Sequence, residues 1–176
     1  MATNWKLDPM HSELQFKAKH LMITTVTGHF GSFNVDATTE AEDFSNGANV
    51  NVTADINSIS TNNEQRDGHL KSPDFFDAAS HPELKFTGTK LEGSGEDLKL
   101  TGDLTIRGTT KPITLNVEYG GTVVDPYGQT KAGFTVNGKL SRKEFGLTWS
   151  AVTEAGSVVV SDDIKIHAEI QLVKQA

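Results

Sequence analysis

Apolar and polar residues alternate along most of this chain with a period of two, which is the signature of strands that bury one face. Leu14, Phe16, Ala18 and His20 share one parity against Glu13, Gln15, Lys17 and Lys19, and Val50, Val52, Ala54 and Ile56 share one against Asn49, Asn51, Thr53 and Asp55. The pattern continues through Leu98, Leu100, Leu104 and Ile106, through Ile113, Leu115, Val117 and Tyr119, through Ala132, Phe134, Val136 and Leu140, and through Ile164, Ile166, Ala168, Ile170 and Leu172. Two weaker runs are Phe33, Val35 and Ala37, and Leu84, Phe86 and Gly88 after Pro82, a residue suited to a strand entrance. The count predicts about eight strands. The segments 92–96, 108–112 and 125–128 are turns too short to hold a helix, so sequence neighbours pair antiparallel. Such strands cover their common face either by closing into a barrel or by folding into a two-sheet sandwich. Mid-strand glycines at Gly31, Gly102 and Gly138, which permit tight coiling, favour the barrel, and a bend is expected near residues 161–163.

Residues 58–82 are the one substantial interruption. Thr61-Asn62-Asn63-Glu64 fits a capping box, predicting a helix over about 62–70, and Ser72-Pro73 ends it with Ser72 capping a further turn that holds Phe75 and Phe76. The adjacent phenylalanines must bury at least one ring, and their expected place is an open barrel end. The predicted architecture is all-β: an eight-stranded antiparallel barrel with a short helical excursion at about 62–77.

Composition narrows the chemistry. The 176 residues fit a single domain, 1–176. The formal net charge of -7, with no cluster of Lys and Arg, argues against nucleic acid and against an anionic membrane surface. The absence of cysteine removes disulfide and thiolate chemistry. No run is long enough for an integral membrane span, and the opening MATNWKLDPMHSELQFK has no apolar leader core. A cytoplasmic place is therefore expected, or a periplasmic one where a leader has been removed. The six histidines include no H-E-x-x-H or comparable ligand spacing, so no metal is expected. No G-x-S-x-G elbow accompanies His11 or His69, so no serine-hydrolase triad is read.

Several motifs together resemble the YceI-like, polyisoprenoid-binding family. They are S-I-x-T-x-x-x-x-R-D-x-H-L-K-S-x-D-F-F-D from Ser58, H-P-x-L-x-F from His81, W-x-L-D-x-x-H-S from Trp5, G-H-F-G-S-F from Gly28, T-G-D-L-T-I-R-G-T-T-K-P-I from Thr101, and S-R-K-E-F-G-L from Ser141. The resemblance covers nearly the whole chain. It implies a lipocalin-like barrel around an elongated apolar tunnel that holds a polyprenyl, isoprenoid-quinone or fatty-acyl compound. It also implies a part in stress tolerance, a possible homodimer, and no shared catalytic residue set.

The inward parity supplies candidate ligand contacts: Phe16, Ala18 and His20; Phe33 and Val35; Val52 and Ala54; Leu104 and Ile106; Leu115 and Val117; Phe134 and Val136; Ile166 and Ala168. Phe75 and Phe76 are candidate gates. The same residues serve as ordinary core in any barrel. Arg66, Asp67, His69 and Arg142 are candidates for the rim, either meeting a head group or tethering the helix; Arg66, Arg107 and Arg142 are the only arginines, which points to fixed hydrogen-bonding roles. Trp5 and Trp149 read as core or barrel-end plugs. The leading function is non-catalytic binding, storage or transport of a long-chain lipid, with no cofactor other than that lipid. The alternative is a small isomerase or cyclase using His20 or a rim histidine as acid or base; on the inward face only His20 offers itself, with no same-face carboxylate partner nearby in sequence.

Overall fold

Ladder hydrogen bonds join the strands of the described residues into one antiparallel sheet that meets itself. The computed structural model describes residues 2–21, 23–40, 43–147 and 160–175. Among them are eleven strand segments: β1 (Ala2–Leu7), β2 (Glu13–His20), β3 (Thr24–Phe30), β4 (Phe33–Glu40), β5 (Asp43–Asp55), β6 (Ile59–Ser60), β7 (Glu83–Ser94), β8 (Asp97–Ile106), β9 (Thr109–Val124), β10 (Thr130–Ser141) and β11 (Asp163–Lys174). One α-helix, α1 (Glu64–Lys71), lies between β6 and β7. The strand order is β1-β4-β5-β7-β8-β9-β10-β11-β2-β3-β6, and a further β1–β11 pairing closes the ring.

Eleven segments make eight barrel strands because three strands are broken. β1 faces Leu172–Lys174 and β2 faces Lys165–Glu169 of the same partner, β11, across a 3-10 turn at Pro9–His11. β3 and β4 are parted by Gly31 and Ser32, and β5 and β6 by a 3-10 turn at Ile56–Ser58. Each of the eight alternating runs thus occupies one barrel strand. The breaks stand side by side: the Gly31 N–H donates to Ser58 O (3.0 Å), and the Asp55 N–H donates to Ser32 O (2.9 Å). Beyond this seam β6 pairs only with β3, so the ring is complete on one side of the seam and parted between β6 and β7 on the other.

The Trp5–Ser12 motif holds the first break. Asp8 accepts hydrogen bonds from Met10 N–H (3.1 Å), Lys131 Nζ (3.0 Å) and Gln171 Nε2 (3.2 Å), and its carboxylate lies 2.8 Å from His11 Nδ1. The Gln171 N–H donates to Ser12 Oγ at 2.9 Å. Trp5, 1% exposed, donates from Nε1 to Thr39 Oγ1 (2.9 Å) and packs against Phe44 at 4.9 Å between ring centroids. Phe44 in turn meets Phe134 at 4.8 Å and Tyr119 at 5.9 Å, and this aromatic cluster fills the end of the barrel remote from α1. Trp149 lies outside the described residues.

One boundary differs from the sequence expectation. The turn expected at 108–112 is the two-residue turn Arg107-Gly108, with φ of 51° and 74°, between the paired residues Ile106 and Thr109. Two positive φ values suit the twist of a tight hairpin. Pro112 is a strand residue opposite Asp103, in the stretch of β9 paired to β8 alone, where its missing N–H breaks no second ladder. The bend expected near 161–163 is present at Asp162, between the His20–Val160 bridge and the start of β11 at Asp163.

Gly102 of β8 faces Gly88 of β7, and a Cβ there would stand 2.8 Å from the Gly88 Cα and 2.6 Å from the Phe86 ring. Gly102→Ala is expected to destabilise the protein by about 1–3 kcal/mol through overpacking, read as a lowered urea midpoint with an unchanged slope. An unshifted midpoint would show that the two strands can part freely here.

Burial by itself raises the Asp8 carboxyl, but the bonds from His11, Lys131 and the Met10 N–H outweigh it and hold the group lowered to about 2. The folded value lies below the ordinary one, so the stabilisation is complete above about pH 5 and is lost as the pH falls toward 2. Asp8→Asn should flatten the fall in stability across that interval, measured by urea unfolding at stepped pH. A variant whose profile parallels the parent's would remove Asp8 from the account.

Candidate functional site

The inward parity of the strands leaves space that the side chains do not fill. An inner chamber of about 140 Å³ is lined wholly by apolar residues. Phe33, Val35, Val52, Leu104, Leu115, Val117, Phe134, Val136, Ile166 and Ala168 are among them. A second chamber of about 490 Å³ lies beneath α1 and is bordered by the β2–β3 hairpin and the segment after β10. The two share Leu14, Leu84 and Ile166 as wall residues, so they are adjoining compartments of one interior. Both far exceed the ~10–15 Å³ that admits a single water.

Phe16, Ala18, His20, Phe75, Phe76 and Ile106 line the second chamber, with Arg66, His69 and Arg142 on its rim. Ala54 lines neither compartment. It is 1% exposed and packs with Phe30, Ile56, Ile59 and Ala78, because β5 ends one residue later and the 3-10 turn carries that face under the helical segment. Asp67 also stands off the lining: its Oδ1 accepts from the Thr61 N–H (2.8 Å) and Thr61 Oγ1 (2.6 Å).

The helical excursion is held by a local clamp. Arg66 Nε donates to Thr61 Oγ1 and Nη2 to Thr61 O, each at 2.7 Å, so Arg66 and Asp67 grip one threonine from two sides. The expected capping box is displaced by two residues. Asn63, not Thr61, is the N-cap, accepting from the Arg66 N–H at 3.0 Å, and α1 starts at Glu64. Thr61 is unable to serve because its hydroxyl and amide are already engaged and Asn62, at φ 63°, turns the chain between it and the helix.

Phe75 and Phe76 turn inward but are held differently. Phe75 is 5% exposed; His69 meets its ring edge-on at 5.0 Å, the Arg142 guanidinium lies 5.9 Å from its centroid, and Arg107 Nη1 donates to its carbonyl at 3.1 Å. Phe76 is half-buried and contacts Phe30 edge-on at 6.3 Å, and Phe30 contacts Phe16 at 5.6 Å. A pinned ring and a freer one therefore face the same chamber.

Arg142 is 3% exposed and donates to three backbone carbonyls: Nε to Ser161 O (2.9 Å), Nη1 to Leu147 O (2.8 Å) and Nη2 to Val160 O (3.3 Å). Burial lowers the guanidinium from its ordinary value, and Asp162 acts in the opposite sense. A guanidinium stays protonated all the same, so the chamber carries a fixed positive charge. Lys19, Arg66, His20 and His69 add basic groups, and among the described residues no Asp or Glu lines either compartment. Among the described residues no group of three or more His, Asp or Glu is placed to hold a metal.

Sequence reasoning left Phe44, Phe30, Leu70, Thr61 and Lys19 off the candidate site. Phe44 shares the parity of Val50 and Val52 across Gly47, a signal present in the sequence, whereas Phe30 stands in a strand too interrupted to show a run. Thr61, Leu70 and Lys19 are gathered only by the folded excursion and the hairpin beside it.

Fold and interior together define a lipocalin-like β-barrel with an apolar binding cavity. The YceI-like domain matches residues 5–172, and the chain belongs to that family. It is 41% identical over 151 residues to a UPF0312 protein of Photorhabdus laumondii, covering 82% of this chain and 76% of that one. The crystal structure of a Campylobacter jejuni YCEI protein superposes with a TM-score of 0.77 at 35% identity over 90% of each chain. A polyisoprenoid-binding domain from Saccharophagus degradans shares the fold, with a TM-score of 0.66 at 16% identity over 97% of this chain and 98% of that one.

Arg142→Lys is expected to cost about 2–4 kcal/mol in urea unfolding, because a point ammonium cannot serve three diverging carbonyls and leaves buried acceptors unpaired. Parental stability in this variant would show that water replaces the guanidinium.

Proposed function

We propose that this protein binds, stores or carries an amphiphile with one long apolar chain, of the polyisoprenoid, isoprenoid-quinone or fatty-acyl class, and that it does so without catalysis. One observation carries the reading: the inner chamber presents only apolar side chains and adjoins a compartment that is polar and basic at its rim. Each methylene moved from water into such walls contributes roughly 0.8 kcal/mol, so an alkyl or prenyl tail supplies the affinity. Chain length is a weak criterion in an apolar tube, at about 1–3 kcal/mol per methylene, so selectivity rests on the head group at the rim. The name of the Saccharophagus degradans domain points to the same ligand class. Among the described residues no carboxylate lines the cavity beside His20, and His69 is paired with Asp74 (Nε2 to Oδ2, 2.9 Å), which is not part of the lining; this speaks against the isomerase or cyclase alternative. Pairing of two copies and a part in stress tolerance, both implied by the family resemblance, belong to this proposal.

Organic extraction of protein purified from its native source, followed by mass spectrometry, should yield a stoichiometric long-chain amphiphile. Val136→Trp, which places an indole in the inner chamber, should retain the fold by circular dichroism and lose that compound or exchange it for a shorter one. A blank extract from the parent protein, or an unchanged one from the variant, would overturn the reading.

A further inference from the structure

Lysines scattered along the sequence are gathered by strand register. On the outer face Lys17 of β2 stands opposite Lys165 of β11, and Lys165 is followed across the next ladder by its partner Lys139 of β10. All three are exposed. Like charges placed directly opposite are destabilising, so folding alone gives no reason for the row. Lys139 lies 3.2 Å from Asp163, but both side chains are largely exposed, at 63% and 59%, and the pair contributes little to holding either in place. With Thr114, Asn116 and Asn137 the lysines line a groove of about 460 Å³ that has no carboxylate in its wall among the described residues. The sequence expectation that no cationic cluster exists is thereby corrected: register across three strands builds what no local window contains.

A second observation is independent of the first. Strand β2 continues from Lys17 toward the second chamber, and after Leu21 the chain returns from Ile23 into β3. Ile23 is 77% exposed, and Ala18, His20 and Val26 of the same hairpin line the chamber. No acidic residue occurs anywhere between Glu13 and Asp36, in a chain with 23 Asp and Glu.

We propose that this side of the barrel docks on an anionic bilayer surface, with the hairpin tip seated at the interface and the lysine row on lipid phosphates. The purpose of docking, to bring the chamber beside the membrane from which a lipid is drawn, rests on the lipid-binding reading; the docking itself does not. Apposed lysine rows repel, so the charge favours an anionic sheet over a second copy of this chain. The overall charge of -7 does not forbid it, since charges more than about 8–10 Å from the contact are screened at physiological salt. The other exposed apolar tip, with Val124 at 67% and Tyr127 at 90%, flanks Asp125 at the far end of β9, where Lys131 is held by Asp8 and Asp125. That tip lacks a free cation row and serves as the control.

Flotation with phosphatidylcholine vesicles, with and without phosphatidylglycerol, tests the proposal at about 0.1 M salt. The parent protein should float with the anionic vesicles and not with the neutral ones. Replacing the row together, Lys17→Gln, Lys139→Gln and Lys165→Gln, removes repulsion and should leave folding intact while weakening vesicle affinity about a hundredfold. Ile23→Ser should weaken it about tenfold, and Tyr127→Ser should not change it. Equal flotation on both vesicle types, or parental flotation by the triple variant, would overturn the proposal. So would light scattering that shows the parent as a dimer and the triple variant as a monomer, since the face would then belong to a second copy. Protein that yields a lipid extract but ignores vesicles refutes docking alone; empty protein that floats on anionic vesicles refutes the cargo reading alone.

Discussion

The closure of the backbone ladder through β1 is the constraint on which the molecule depends. Six residues pair on one side with β4 and on the other with β11. Without them the sheet would present two long unpaired edges, each a template for aggregation. With them the circumference is set by backbone hydrogen bonds rather than by side-chain contact, which is why an apolar interior can stay unfilled in its middle. A core held only by packing would collapse onto such space.

Where the ring parts between β6 and β7, side-chain bonds take over from the ladder. Thr61, Arg66 and Asp67 fasten the start of α1, Arg107 ties the Phe75 carbonyl to Gly146 O, and Arg142 gathers the strand ends at residues 147, 160 and 161. All three arginines are thus engaged with backbone carbonyls. The polar residues of the family motifs mainly build the vessel, and the cavity-facing surface is made by the anonymous apolar parity of the strands.

That division explains what was legible in the sequence. The eight alternating runs correspond to the eight barrel strands because period-two burial leaves a mark in every strand that has water on one side. The excursion showed itself as a loss of period, and Phe75 and Phe76 could be placed inward because two adjacent rings seldom both face water. Other features were hidden for physical reasons. Thr61 reads as an N-cap until Asp67 and Arg66 are seen to occupy it. Ala54 carries the inward parity yet leaves the cavity wall where its strand ends. The row of Lys17, Lys165 and Lys139 has no local signature at all, since Lys17 stands more than a hundred residues before the other two and all three meet only through pairing with β11.

The three aligned breaks at Pro9–His11, Gly31-Ser32 and Ile56–Ser58 divide the barrel into a hoop and a collar. The hoop cannot widen without breaking hydrogen bonds all the way round, so its bore is fixed like that of a gauge. The collar, whose β6 margin is joined across the gap only by side chains and turns, can yield at one place while every ladder in the hoop stays intact. The width of the bore is therefore governed by the hoop and access to it by the collar, two properties that the same eight strands can vary separately.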